Sequence, residues 1–243
     1  MQIDYRKSYS EAVHRLMAAY PSDQAMRLAV GGEFNAFGVV MREILIRAGL
    51  RPEYYLIDVG CGSGRLASVL PSYLTGQYLG IDVVPELLEY ARSICGRPDW
   101  RFEEVHEIVI PENREAADMV CFFSVLTHLL HEDCFRYLIE ASRVLKANGT
   151  VVFSFLDFHI ASHWVVFDGM LTARTRQEAT HHNQFLSRDI IHAWAGRLGM
   201  ELLAIYDGDA PQVQVPGDLY LDDGRPLPEQ ASLGQSVCIL RKV

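Results

Sequence analysis

The sequence predicts an α/β fold, a doubly wound and mostly parallel sheet with an antiparallel last strand, plus an N-terminal helical cap. Three observations carry that expectation. From residue 51 onward short apolar runs alternate with helical patterns, which argues for parallel strands joined by helices on both faces. A glycine-rich turn at Gly60, Gly62 and Gly64 separates the first of these strands from the next helical stretch. No helical pattern lies between the last two strands, so they should run antiparallel.

Residues 8–19 read as a helix broken by Pro21. Residues 35–48 are a stronger one: Phe37, Val40, Met41, Ile44, Leu45 and Ala48 share a face, with Gly49 past the end and Pro52 beyond. Strands are expected at 55–59, 78–82, 119–123 and 150–155, each a short, mainly apolar run, with a further short strand at 100–104. A helix should open at Arg65 and reach residue 70. Another should start at Pro85, which suits a first helical position, and end near Cys95 and Gly96. Residues 132–145 form a helix stopped by Asn148 and Gly149, and residues 188–198 one between a Ser187 cap and Gly199. The last strands are 201–206 and 236–241. This divides the chain into a helical cap, residues 1–50, and one compact α/β unit, residues 51–243.

Composition narrows the function. With 49% hydrophobic and 22% charged residues among 243, the chain is globular rather than disordered or fibrous. Twenty-two basic against 31 acidic residues give a net charge of −9, and no basic stripe interleaves with aromatics, so nucleic acid is a poor partner. No apolar run approaches the ~18 residues of a membrane span. The first residues show no apolar leader, which points to the cytoplasm. Cys61, Cys95, Cys121, Cys134 and Cys238 lack metal-type spacing and read as reduced thiols.

The chemistry is concentrated around the glycine turn. Glycines let a backbone approach a ligand, and a helix N-terminus beyond them favours polar or anionic groups. A dinucleotide fingerprint would need its third glycine where Arg65 stands. Here the spacing is G-x-G-x-G instead, with Asp58 two positions before the first glycine. A second acid, Asp82, ends the next strand, where a carboxylate can accept hydrogen bonds from ribose hydroxyls. Capping the helix at Pro85 is its plainer role.

With these residues the sequence resembles the class I S-adenosylmethionine-dependent methyltransferases. Leu56-Ile57-Asp58-Val59-Gly60-Cys61-Gly62-Ser63-Gly64 looks like their first motif and Gly80-Ile81-Asp82 like their second. The run from Ala117 to His128 looks like their fourth strand and its loop, and Leu145 to Phe153 like the lead into the fifth. The resemblance covers residues 34–206. It implies a Rossmann-like sheet, S-adenosylmethionine as cofactor, and a helical cap over it. Asp58 and the backbone of Gly60, Cys61, Gly62 and Gly64 would hold the methionine end. Asp82 would hold the ribose, Val83 would pack on the adenine, and Phe123 would border the same site. Relatives place an Asp after the third strand to meet the adenine amine; here the aligned position is His106, followed by Glu107.

Methyl transfer is a direct displacement, so alignment should supply most of the rate. A hydroxyl acceptor also gains ~10²–10⁴-fold from a general base. Six of the nine histidines (His128, His131, His159, His163, His181 and His182) fall in the loops expected around the acceptor. His128, just past the fourth strand, is the first candidate base, since an unperturbed pKa of ~6.5 suits proton removal at neutral pH. Capping the next helix is its alternative. Asp157 and His159 come second. Asp157, His159 and His163 do not reproduce the carboxylate-rich sites of metal-dependent relatives, so no metal ligand is assigned. The expected reaction is O-methylation of a small-molecule or sugar hydroxyl. N-methylation of a small amine and a catalytically silent partner subunit are the alternatives, and a homodimer is the assembly considered. Residues 207–235, with four Pro and four Gly, should lie at the rim of the site as a substrate wall or subunit contact. Tyr220 and Leu221 are its expected inward anchors, and it should take no part in cofactor binding.

Overall fold

In the computed structural model, residues 5–176 and 182–243 are described; His181 lies outside them. The chain opens with α1 (Tyr5–Ala19), α2 (Ser22–Ala29) and α3 (Phe34–Arg47). Pro21 both ends α1 and serves as the N-cap of α2, a helix that the sequence reading missed. Gly31, Gly32 and Glu33 all have positive φ (89°, 69° and 50°), and this tight reversal sends α3 back toward the sheet.

There follow β1 (Leu56–Val59), β2 (Tyr78–Asp82), α4 (Pro85–Ile94), β3 (Arg101–Glu104), β4 (Ala117–Phe122), α5 (His131–Val144) and β5 (Leu145–Asp157). The C-terminal part holds α6 (Trp164–Thr175), β6 (Phe185–Leu186), α7 (Arg188–Leu198), β7 (Met200–Tyr206), β8 (Val213–Gln214), β9 (Gln230–Ala231) and β10 (Ser236–Lys242). The main sheet runs β3-β2-β1-β4-β5-β10-β7, with β6 beside β5. β10 is antiparallel to both neighbours, as expected for strands without a crossover helix. From β1 the chain goes to β2 on one side, and β4 lies on the other. The strand order reverses there, and ligands bind outside the strand ends at such a point.

Alternate residues of each strand feed two cores. Leu56, Met119, Cys121, Val152 and Ile239 face α3 and the 207–235 segment; Ile57, Val120, Phe153 and Leu240 face α5 and α7. α3 therefore shares the sheet's core. α1 and α2 rest instead on α4 through a small cluster of Val13, Met26, Val84 and Leu87.

Three expectations need correction. No regular helix opens at Arg65: residues 62–69 form turns that lead into a 3₁₀ turn, Leu70–Ser72. Few residues lie between Gly64 and Pro71, and so short a stretch gains little from helix propagation. Asn148 and Gly149 do not stop α5, which ends at Val144; they form an irregularity inside β5, with Asn148 at φ 63°. In the 207–235 segment, Tyr220 is 61% exposed rather than an anchor. The segment forms the β8–β9 hairpin with a Tyr220–Pro226 bridge beyond it. Extended alternation there turns Leu219 and Leu221 inward and Tyr220 outward. Val213, Val215, Leu227 and Leu233 are its buried anchors.

Candidate functional site

At the end of β1 the chain is hooked onto β2: the N–H groups of Gly60 and Cys61 both donate to the Ile81 carbonyl, at 2.7 and 3.0 Å. Gly60 (φ 68°) could not be replaced, since a Cβ would stand 2.4 Å from Val125 Cγ2. Gly64 is required for packing, because a Cβ there would strike Ala91 of α4 at 2.8 Å. Ser63 Oγ donates to the Met26 carbonyl (2.8 Å) and ties the turn to α2.

Asp82 does two jobs. Its Oδ2 accepts from Gly62 N–H (2.9 Å) and its Oδ1 from Val84 N–H (3.0 Å), so it braces the glycine turn and starts α4. A carboxylate has about four acceptor sites, so each oxygen keeps capacity for a ligand hydroxyl. Burial pushes its carboxyl above the usual range, against the pull of these N–H groups. Asp58 is 3% exposed and accepts from Tyr78 Oη (2.8 Å) and Cys121 Sγ (3.4 Å). Burial dominates over those bonds, and its carboxyl is pushed up to about 7, with nearby Asp82 adding to the shift.

These groups border a cavity of about 570 Å³, a size suited to a small ligand. Asp58, Gly60, Cys61, Gly62, Asp82, Val83, Phe123 and His128 all line it. Four other candidates do not. Gly64 lies behind the turn. His106 is exposed, 3.5 Å from Glu104 Oε1, while its neighbour Val105 takes the wall position. Asp157 is fully buried and structural: its carboxylate accepts from Arg188 Nε (2.8 Å) and His159 N–H (2.9 Å). His159 has a side chain 64% exposed and lies off the wall. His163 is consumed by the fold as well. Its Nδ1 accepts the Asp157 N–H (2.8 Å) and its Nε2 faces the Gly234 carbonyl (3.1 Å). Among the described residues no group of three or more His, Cys, Asp or Glu converges as a metal site.

His128 follows β4 on a 3₁₀ turn, Leu126–His128, with its ring edge-on to Tyr9 at 5.8 Å. Its Nδ1 stands 2.9 Å from the His182 carbonyl. A carbonyl can only accept, so in the neutral ring Nδ1 carries the proton and Nε2 the lone pair.

The sequence reading missed several wall residues. Tyr5 and Tyr9 line the cavity from α1, and their i, i+4 spacing on one helix face was the available signal. Tyr5 Oη donates to Asp133 Oδ2 (2.9 Å) and accepts from Leu130 N–H (3.0 Å), fixing α1 to the start of α5. Ser124 and Gln235 close a polar network on another wall. Ser124 N–H donates to Ser154 Oγ (2.7 Å), Ser154 Oγ to Gln235 Oε1 (2.7 Å), and Gln235 Nε2 to Ser124 Oγ (3.1 Å). Ser124 is held at φ 58°, a left-handed conformation of the kind that clusters at functional sites. No local pattern announces it.

Residues 57–153 match the family described as a methyltransferase domain. An uncharacterized methyltransferase of Schizosaccharomyces pombe is 29% identical over 108 residues, 40% of this chain and 37% of that protein. The match thus spans little more than a third of that relative's length. Among solved structures, the methyltransferase bound to the Trm112 activator in a Haloferax volcanii complex has a TM-score of 0.66 at 14% identity, covering 97% of this chain and 96% of that one. A Thermotoga maritima S-adenosylmethionine-dependent methyltransferase has a TM-score of 0.63 at 17% identity, over 96% and 99%. At such identities the likeness is one of fold. The sequence match falls on the strands and turns that build the crevice, and the fold match extends over the helices around it. Residues 57–153 thus match a methyltransferase domain, and the fold of the chain is that of S-adenosylmethionine-dependent methyltransferases of known structure.

Proposed function

We propose that the chain methylates a hydroxyl of a small molecule or sugar with S-adenosylmethionine as donor, and that α1 and α2 cap the bound cofactor. One observation carries this reading: a single cavity joins the glycine turn and both acids to His128. The donor set fits the cofactor. At Gly60 and Gly62 a Cβ would fall within 2.6 Å of Val125 and Val30, so backbone alone can border the ligand there. Burial pushes Asp58 up to about 7, and a cation such as the ammonium of the methionine arm would favour its ionised form at neutral pH. Asp82 has capacity for two ribose hydroxyls, and Val83 with Val105 offers apolar flanks for adenine.

Bound there, S-adenosylmethionine supplies an activated methyl group. The protein's part is to hold the acceptor in line and take up its proton. His128 is assigned the second task through Nε2, with Nδ1 anchored on the His182 carbonyl. Asp157 and His159 are assigned to shaping the chain after β5 rather than to chemistry.

The test is a panel of hydroxyl and amine acceptors scored for a methyl-sized mass gain. His128→Ala should lower turnover of a hydroxyl acceptor by at least ~10²-fold, with S-adenosylhomocysteine affinity almost unchanged. Full activity in that variant would leave alignment as the whole mechanism. Methylation of amines alone would replace O- by N-transfer. A second reading, activity dependent on a partner protein, draws support from the Haloferax volcanii neighbour, which is complexed with an activator. Turnover by the isolated chain would exclude it.

A further inference from the structure

One charged side chain on the cavity wall has no part in the scheme above. Arg65 follows the last glycine of the turn, is 9% exposed, and lines the cavity. Its backbone is closely fixed. A Cβ on Gly38 would stand 2.6 Å from the Arg65 carbonyl, so α3 lies directly against it, and that carbonyl accepts from Ser68 Oγ at 2.9 Å. The guanidinium reaches under the 31–33 reversal, with Nη2 3.8 Å from where a Cβ of Gly31 would be.

The carboxylates that act on Arg65 are Asp222 and Glu33. Both are turned away to other duties. Asp222 Oδ2 accepts from Glu33 N–H at 2.6 Å, and Glu33 Oε2 accepts from Asp222 N–H at 2.7 Å, a reciprocal clasp between the cap and the 207–235 segment. The Arg65 side chain makes no hydrogen bond and no ion pair within 4 Å with any of the described residues. Five donors in a rigid fork thus stand at a cavity wall on a side chain nine-tenths buried, with accessible surface left at the nitrogens for a ligand. Burial pulls the guanidinium down to about 10, which still leaves it charged at neutral pH.

The rest of the cavity narrows what the fork can take. Asp58 and Asp82 share the same walls, so a dianionic phosphate would be repelled, while a singly charged planar oxyanion matches the fork in two parallel hydrogen bonds. We propose that Arg65 receives a carboxylate of the bound ligand. Two sources offer it: the amino-acid arm of S-adenosylmethionine, whose ammonium would then face Asp58, or an acidic methyl acceptor. The first source rests on the cofactor assignment above; the receiving role of Arg65 does not.

Calorimetry on the full chain separates these cases. S-adenosylhomocysteine carries the amino-acid arm, and 5′-methylthioadenosine lacks it. If the cofactor supplies the carboxylate, Arg65→Met weakens S-adenosylhomocysteine by ~10–100-fold and leaves 5′-methylthioadenosine within about twofold. Arg65→Lys, which keeps the charge without the fork, should recover part of the loss and guards against a folding defect. If S-adenosylhomocysteine is indifferent to Arg65→Met, the acceptor is the source. The wild type saturated with S-adenosylhomocysteine should then prefer benzoate and cinnamate to their amides by ~10-fold, and Arg65→Met should erase the preference. Equal loss of both adenosine ligands, or no change in any comparison, overturns the proposal. Should the wild type bind neither adenosine ligand, the cofactor assignment fails, and the acid-against-amide comparison on the free chain decides the role of Arg65 by itself.

Discussion

Asp58 shows how a single acid can record what the cavity is built to hold. Its ordinary pKa is 3.8, and burial raises it to about 7 in the folded chain. Between about pH 4 and 7 the unfolded chain therefore releases this proton while the native chain keeps it. The unfolded state binds fewer protons, so this residue lowers stability as pH rises through that window. Urea melts of Asp58→Asn and wild type should converge near pH 4 and diverge toward pH 7, with the variant gaining relative stability. Parallel pH curves would mean that the native carboxyl ionises normally. The variant should also bind S-adenosylhomocysteine at least ~10-fold more weakly at pH 7.5, since a charge-assisted bond to the ammonium is lost. That Asp58, Gly60, Gly62 and Asp82 stand together at one crevice was legible in the sequence because their positions are set locally, by a turn and two strand ends. His106 falls outside the cavity wall for a related reason. Motif alignment marks a neighbourhood, but strand alternation decides which side chain faces in, and it chose Val105.

The segments between β5 and β10 show where such reading stops. α6 buries none of its residues, and Trp164, Val165 and Leu171 are 42%, 75% and 58% exposed, so no apolar stripe marks it as a helix in the sequence. The 207–235 segment was placed correctly at the rim by topology, since β7 and β10 must exchange the chain on the ligand side. Its separation from the cofactor region does not follow: Leu233 and Gln235 line the cavity, and Asp222 clasps the reversal above Arg65. Its contacts also change the useful experiment. Excising 211–228 would remove Val213, Val215 and Leu227 from the core at a cost of several kcal/mol. Replacing only 217–225 by a short Gly/Ser turn keeps those anchors and removes the clasp. That variant should melt within a few degrees of wild type and raise KM for the acceptor severalfold. Unchanged acceptor kinetics would show that the rim does not touch the substrate.

The two layers of the structure are held with very different strength, and this has a consequence for how the cavity opens. The sheet carries two large cores, one on each face, and α3, α5 and α7 are built into them. The roof formed by α1 and α2 rests on four buried residues, Val13, Met26, Val84 and Leu87. Its polar ties include Tyr5 to Asp133, Tyr5 to Leu130 and Ser63 to Met26. Opening the roof alone exposes a fraction of the apolar area that global unfolding exposes, so it should cost far less free energy. The same roof supplies Tyr5, Tyr9, Val13 and Val30 to the cavity wall, so a ligand seated on Asp58 and Asp82 touches it directly. A ligand that binds the closed form stabilises it in proportion to its concentration over Kd. Hydrogen exchange read by mass spectrometry should therefore show fast exchange in peptides from α1 and α2 of the free protein. Adding S-adenosylhomocysteine at ~100 Kd should slow those peptides by about two orders of magnitude, the ~2.7 kcal/mol expected from mass action. Peptides from β4, β5 and β10 exchange mainly through global unfolding, and they should slow by the same factor from a much lower starting rate. Met26→Ala should raise the exchange of the roof in the free protein without altering the slow rates of the sheet beyond its loss in global stability. If roof and sheet exchange at one common rate, the cap and the sheet unfold together, and ligand entry must use another path.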